Sequence, residues 1–309
     1  MSKNVHKTSI GGQAVMEGVM MRGPKSYAVA VRKPDGEIII DKKDIPDKKK
    51  NWFVKLPIVR GCINFVQSLI LGTKTLMYSA EFIDLEEEQP SKFDKWLEDK
   101  LGDKVKDIVI YFSVVLSLIL SVGLFILLPT WIIGLTKDFI QSPILKSLLE
   151  GVTRIVIFLV YLWAVSKMED IKRVFQYHGA EHKTIACYEA GLELTPENAK
   201  KMSRLHPRCG TSFLLIVMVV SIIFFSFLRW DNVLVRSLTR IALLPVVAGV
   251  SYEIIKLAGK YDNFLTKIIS YPGLCLQKIT TNEPDDSQLE VAIASMKEVL
   301  TDNPEEDRW

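Results

Sequence analysis

Four stretches of the chain are apolar enough to predict helices that cross a bilayer, which takes about 20 residues. The clearest, 108–135, carries no charge. Pro129 is placed to kink its outer end, and Trp131 suits an interface. The second, 151–165, is short and has Arg154 near its start. It predicts a tilted helix or one that extends into the flanking turns. The third, 212–228, ends at Arg229 and Trp230. The fourth, 241–258, carries Glu253 and Lys256 near its end. A fifth stretch, 52–83, has apolar residues at helical spacing but also holds Arg60 and Lys74, and a mid-bilayer cation is expensive. It predicts an amphipathic or re-entrant helix at the membrane surface, after which the acidic run 84–88 returns the chain to water.

The polar parts predict little regular structure. Residues 26–40 alternate on both sides of Pro34-Asp35-Gly36 and predict a β-hairpin. The segment before it, 11–24, is punctuated by glycine. Such a turn can turn backbone N–H groups toward an anion. It lacks the spacings of nucleotide loops, so tight packing is the plainer account, with Glu17 and Arg22 in reach of chemistry elsewhere. Near the end, 263–279 is amphipathic. A helix is predicted over 287–300, with Leu289, Ile293, Met296 and Leu300 on one face and Asp285 or Asp286 as its cap, followed by a frayed acidic tail. The predicted fold class is mainly α: a polytopic membrane protein with about four transmembrane helices, an amphipathic surface helix and a small N-terminal β-hairpin. Its parts are 1–50, the Gly-rich motif and hairpin; 51–106, the surface helix and acidic linker; 107–260, the four-helix region with a cytosolic His-rich loop at 167–210; and 261–309, an amphipathic tail.

Composition sharpens this picture. The 309 residues are 49% hydrophobic and 24% charged, with mean hydropathy +0.20. That excludes a disordered chain and requires apolar and polar parts to be segregated. A net charge of +3 gives no basis for a nucleic-acid partner. The partners implied are the lipid bilayer and other membrane proteins. The four cysteines are too scattered for a disulfide scaffold. The first 50 residues hold no apolar leader, which predicts an N-terminus in the cytosol. The loop 167–210 carries eight Lys or Arg, so it is predicted to be cytoplasmic, with both termini on the same side.

The same loop concentrates the chemistry. Three of the four histidines lie in it. A helix continuing from the second span places His178 and His182 on one side, four residues apart, and Gly191 suits its end. A second helix is predicted from Thr195 to about Leu205, and 206–210 forms a turn at the membrane surface. The run His178-Gly179-Ala180-Glu181-His182 fits H-x-x-E-H, in which two histidines bind zinc and the glutamate activates water. His206 is a candidate third ligand and Cys209 a fourth, since imidazole and thiolate both suit Zn²⁺. Four ligands make a closed structural site; three with Glu181 as base make a hydrolase. Cys209 with His206 as nucleophile and base is a weaker alternative. Glu253, a carboxylate in an apolar span, is either an ion pair with Lys256 or a catalytic partner approaching the histidines from below.

These motifs also carry a resemblance. GGQAVMEGVMMRGP, YHGAEHKTIACYE, HPRCGTSF, SYEIIKLAG and YPGLCLQKITTNEPDDSQLEVAI, in that order, resemble the YqhQ family of bacterial multi-pass membrane proteins. The resemblance covers nearly the whole chain. It implies a bacterial plasma membrane and a metal-dependent enzyme, with motif residues at Gly12, Gln13, Glu17, Gly18, Arg22, His178, Glu181, His182, His206, Cys209 and Glu253. It names no substrate. Three functions compete: a membrane-bound zinc hydrolase, a membrane-protein assembly or scaffold factor with a structural metal or none, and a small transporter or channel component suggested by Glu253 and Arg154.

Overall fold

A computed structural model describes residues 6–46, 52–82, 105–136, 139–227, 233–261, 263–301 and 303–308. It is mainly helical, with one antiparallel sheet near its N-terminus in the order β1-β2-β3-β4. The strands are β1 Gly11–Val15, β2 Gly18–Arg22, β3 Ser26–Arg32 and β4 Ile38–Asp44. The predicted hairpin is the β3–β4 pair, in register from Ser26 opposite Asp44 to Arg32 opposite Ile38. Gly36 sits in its turn at φ 88°. The glycine-punctuated segment ahead of it is not a loop. It forms β1 and β2, with Gly11 opposite Arg22 and Val15 opposite Gly18. Glycine carries no apolar signal, so Gly11, Gly12 and Gly18 hide the period of two that marks a strand.

The helices are α1 Val59–Ala80, α2 Val105–Val122, a π-helical turn Gly123–Leu127, α3 Leu128–Gly134, α4 Pro143–Val165, α5 Glu169–Glu189, α6 Pro196–Lys200, α7 Gly210–Ser226, α8 Val233–Lys260, α9 Phe264–Thr280 and α10 Asp286–Val299. Both faces of the sheet are covered. Val15, Met20, Val29 and Val31 meet Leu71 and Tyr78 of α1. Val19, Met21, Ala28 and Ala30 meet a layer in which Tyr177, Ala180 and Ile185 of α5 pack with Leu289, Ile293 and Met296 of α10. Leu289 and Met296 are wholly buried, and each contributes about 1.5–3 kcal/mol of apolar burial. The core therefore joins three segments far apart in sequence.

α1 has the sidedness expected of a surface helix, but inverted relative to a soluble one. Gly61, Gly72, Thr75 and Ser79 are its buried residues, while Val66, Leu69, Ile70 and Met77 are exposed. Three helical segments are long and apolar enough to cross a membrane: Val115–Gly134, Ile144–Val165 and Leu238–Lys260. This is compatible with membrane association. The predicted third span is α7, apolar but 17 residues long among the described residues. The run 84–88 and residues 229–230 lie outside the described residues.

Pro129 acts on the first span through its missing N–H. The helix widens into the π turn just before it, and the Phe125 carbonyl accepts from Arg154 Nε of α4 at 2.8 Å. Arg154 also pairs with Glu150 at 3.0 Å, and Glu150 pairs with Arg240 of α8 at 2.8 Å.

Three further expectations change. α4 does not run into α5: Met168 is extended and α5 restarts at Glu169. α6 stops at Lys200 rather than Leu205, where Lys183 Nζ takes the Lys200 and Met202 carbonyls at 2.9 Å each and turns the chain. The acidic tail is docked, not frayed. Asp307 is wholly buried; it accepts from Thr8 Oγ1 at 3.0 Å and Tyr188 Oη at 2.8 Å and meets His6 Nε2 at 2.6 Å. A buried carboxylate holds such a position only with donors around it.

Candidate metal centre

The regular helix α5 brings His178, Glu181 and His182 within about one turn. Gly179 lies between them because the chain linking α9 to α10 presses on the helix there. A Cβ on it would fall 2.0 Å from the Asn282 carbonyl oxygen. That close approach carries the Thr280 carbonyl to His178 Nδ1, at 2.7 Å. The Arg204 carbonyl holds His182 Nδ1 in the same way, at 2.6 Å. Each ring donates its Nδ1 proton to the backbone and turns Nε2 inward. Cys209 caps the start of α7, and its sulfur stands 3.2 Å from His178 Nε2. One ligand atom from each of His178, His182 and Cys209 lies within 4.8 Å of the others.

These residues suit a zinc ion. His182 Nε2 is buried and has no hydrogen-bond partner, an arrangement that costs about 1–3 kcal/mol unless something takes the lone pair. Zinc bonds of about 2.0–2.3 Å place neighbouring tetrahedral donors about 3.3–3.8 Å apart, close to the His178–Cys209 separation. Burial opposes charge on both of those groups. Their mutual attraction overrides it, raising His178 to about 9. For Cys209, burial pushes the thiol up, but His178 and His182 outweigh it and hold the pKa well below the ordinary value. This surrounding favours the thiolate, the form that binds metal.

Glu181 is 5% exposed. Burial pushes its carboxyl up, with His182 and His178 pulling the other way. It lies on the wall of a cavity of about 470 Å³ that is also lined by Gly12, Gln13, Arg22, His182, Cys209 and Tyr252. Gly12 is where β1 meets this wall: a Cβ there would fall 2.8 Å from Glu181 Cγ and 2.6 Å from the Met20 carbonyl oxygen. The cavity therefore runs from the strand to two of the three ligands, with Glu181 between.

The remaining predicted residues are placed differently. The His206 ring centroid is 5.7 Å from that of His182, but its Nε2 meets Glu189 Oε2 at 3.4 Å, and Glu189 also pairs with Arg208. His206 therefore stands outside the His178–His182–Cys209 group. The Cys209 sulfur meets His178, not His206. Glu253 does not approach the histidines; it pairs with Arg60 of α1, with Arg60 Nε at 2.7 Å from its Oε1. Glu17 takes Arg173 and the Tyr177 hydroxyl on α5. Arg22 lines the cavity. Sequence reasoning missed Gln277, wholly buried, which bonds the His206 N–H at 2.8 Å and its carbonyl at 2.7 Å. It also missed Glu189, although that residue follows His182 by two helical turns and so shares its face.

Residues 56–302 match the model of a family of proteins of unknown function, DUF1385. A Bacillus subtilis (strain 168) protein, "Uncharacterized protein YqhQ", is 39% identical over 308 residues, covering 97% of this chain and 95% of its own length. The chain belongs to the YqhQ family. No solved structure matches it. The matched region takes in α1 through α10, hence every residue of the His–His–Cys group. The sheet lies outside that model, although the B. subtilis protein aligns with nearly the entire chain.

Proposed function

We propose that this YqhQ-family protein is a multi-pass membrane protein that hydrolyses its substrate at the cytoplasmic membrane face, using zinc held by His178, His182 and Cys209. The observation that carries this reading is the partnerless, buried Nε2 of His182 grouped with His178 and the Cys209 sulfur, with Glu181 next to it on a cavity wall. Zinc bound there supplies Lewis acidity for a carbonyl or phosphoryl oxygen and acidifies water. Glu181 accepts the proton of a cavity water and returns it to the leaving group. Its place on the cavity wall beside His182 puts it in position for both steps. Arg22 offers positive charge to a polar substrate group. A membrane-protein segment or a lipid-linked molecule is the substrate class that such a position admits. His206, Glu189 and Arg208 hold the turn from which Cys209 projects.

The topology rests on parity. The sheet, α5–α6 and α10 share one core and so stand on one side of any bilayer. The chain leaves that side through α2 and α3 and returns through α4. It leaves again at α7 and returns by α10. Each excursion takes an even number of crossings. If α8 crosses, α7 crosses too, which gives four spans. The eight Lys and Arg of 167–210 make the shared side cytoplasmic, with both termini there.

Elemental analysis of detergent-purified protein tests the centre. Near-stoichiometric zinc is expected in the wild type and in Glu181→Gln, and none in His178→Ala/His182→Ala. Glu181→Gln is expected to abolish hydrolysis. Absence of metal from wild-type protein purified with zinc supplied overturns the centre. Bound zinc, with quenched casein and a fluorescent phospholipid both left uncut, overturns the enzyme and leaves a structural metal.

A further inference from the structure

β1 is an edge strand: β2 pairs with one of its sides, and among the described residues no strand pairs with the other. The phase of the ladder fixes which groups face outward. Gly23 N donates to the Ser26 carbonyl and Arg32 N to the Glu17 carbonyl. Together these put Arg22, Met20 and Gly18 of β2 in hydrogen bonds with β1, by the alternation of antiparallel pairs. Gly11, Gln13 and Val15 of β1 therefore bond inward. Gly12 and Ala14 present N–H and C=O groups to the free side. The ends of that side are closed by side chains. Thr8 Oγ1 takes the Ile10 N–H at 3.1 Å, and Ser79 Oγ takes the Met16 N–H at 3.1 Å. Between them, from the Ile10 carbonyl to the Ala14 amide, no described group pairs with the backbone.

This open window borders the site. Ile10, Gly11, Gly12 and Gln13 line the same cavity as Glu181, His182 and Cys209. Glu181 Cγ packs where a Gly12 side chain would stand. α1 and α5 wall the cavity on either side of the strand. Arg22, opposite Gly11, adds a guanidinium with no ion pair among the described residues. A bare strand edge recognises one chemistry above others, an extended polypeptide backbone that adds itself as a strand.

We propose that the substrate is a polypeptide, bound in extended form along the free edge of β1, so that one of its peptide carbonyls lies beside Glu181 and an acidic side chain or terminal carboxylate meets Arg22. The cleavage step rests on the hydrolase reading; the binding step does not. Water adds across the peptide C–N bond, the carbonyl carbon gains the hydroxyl and the amine leaves with the proton that Glu181 took. No oxidant or further reactant is needed.

The probe is β-casein, an unfolded polypeptide, added to the full-length, zinc-supplied protein in detergent. Hydrogen exchange is expected to slow at least tenfold at the amides of Gly12 and Ala14. Ala14→Pro deletes one outward N–H and leaves the β1–β2 bonds intact. It is expected to weaken binding of dye-labelled casein at least tenfold, with the thermal midpoint kept. Unprotected amides overturn the proposal, as does a folded Ala14→Pro protein that binds normally. If that variant does not fold, exchange on the wild type decides alone. The two readings fail separately. Protected amides with uncut casein remove the hydrolase and keep the strand-edge site; cut casein with unprotected amides does the reverse.

Discussion

Replacing Gly12 by alanine puts a methyl group against Glu181 Cγ and the Met20 carbonyl. Overpacking of this kind costs about 1–3 kcal/mol. Gly12→Ala is expected to lower the thermal midpoint and displace Glu181; under the proposed function it reduces hydrolysis while zinc content stays at the wild-type level. Gln277→Leu acts through different atoms. It leaves the buried N–H and carbonyl of His206 without partners, a loss of about 1–3 kcal/mol per group, measured by thermal unfolding in detergent. At this scale the sequence was readable only in part. His178, Glu181 and His182 stand out because a helix makes neighbours of residues three and four apart. The groups that orient them are the Thr280 and Arg204 carbonyls, which any residue type supplies, so no letter in the sequence marks them. The chemistry of His206 suggests a ligand, but in the fold Glu189 and Arg208 meet its Nε2.

Among the elements, α10 shows how far local signals reach. Its apolar spacing and its cap were both visible, and Asp285 and Gln288 form a capping box there. Burial acts to raise the Asp285 carboxyl, but hydrogen bonds from Ser287 and Gln288 outweigh it and lower the pKa. The folded value thus lies below the unfolded one, near 3.8. The stabilisation is complete above the unfolded value and lost as pH falls through the folded value. Asp285→Ala is expected to cost about 1 kcal/mol near neutral pH, and the difference from wild type should shrink below pH 3.8 in thermal melts. In the apolar helices, Glu150 joins Arg154 and Arg240. Glu150 is buried and the two guanidinium groups are half-buried, so Glu150→Gln is expected to destabilise the helices, measured as a lower thermal midpoint in detergent. Three of the four segments predicted to span return as helices long and apolar enough to cross a membrane, because hydropathy needs no partner. β1 and β2 were not legible, because their regularity lies in pairing rather than in side-chain pattern.

For the molecule as a whole, the four-span reading makes a geometric prediction. In a background with Cys62 and Cys275 changed to serine, Ser142→Cys and Glu305→Cys are expected to react with a membrane-impermeant thiol reagent from opposite sides of sealed vesicles. Labelling of both from one side removes the topology. Charge predicts that the terminal segments and the 167–210 loop share one side of a bilayer. That they form a single core was not legible, because no periodicity within α5 or α10 names the sheet as its partner.

The Met21 N–H donates to Ser295 Oγ at 3.1 Å, and Ser295 donates on to the Ala28 carbonyl at 2.9 Å, so a side chain 274 residues from Met21 completes a rung between β2 and β3. That connection sets a timetable for biosynthesis. β2 and β3 must wait, with Val19, Met21, Ala28 and Ala30 covered only in part by α5, while the apolar helices α7 and α8 are made. They are closed only when the last helix arrives. A nascent chain stopped before α10 keeps the strands but only part of their cover, and the arrival of α10 becomes the event that commits this unit to its final form.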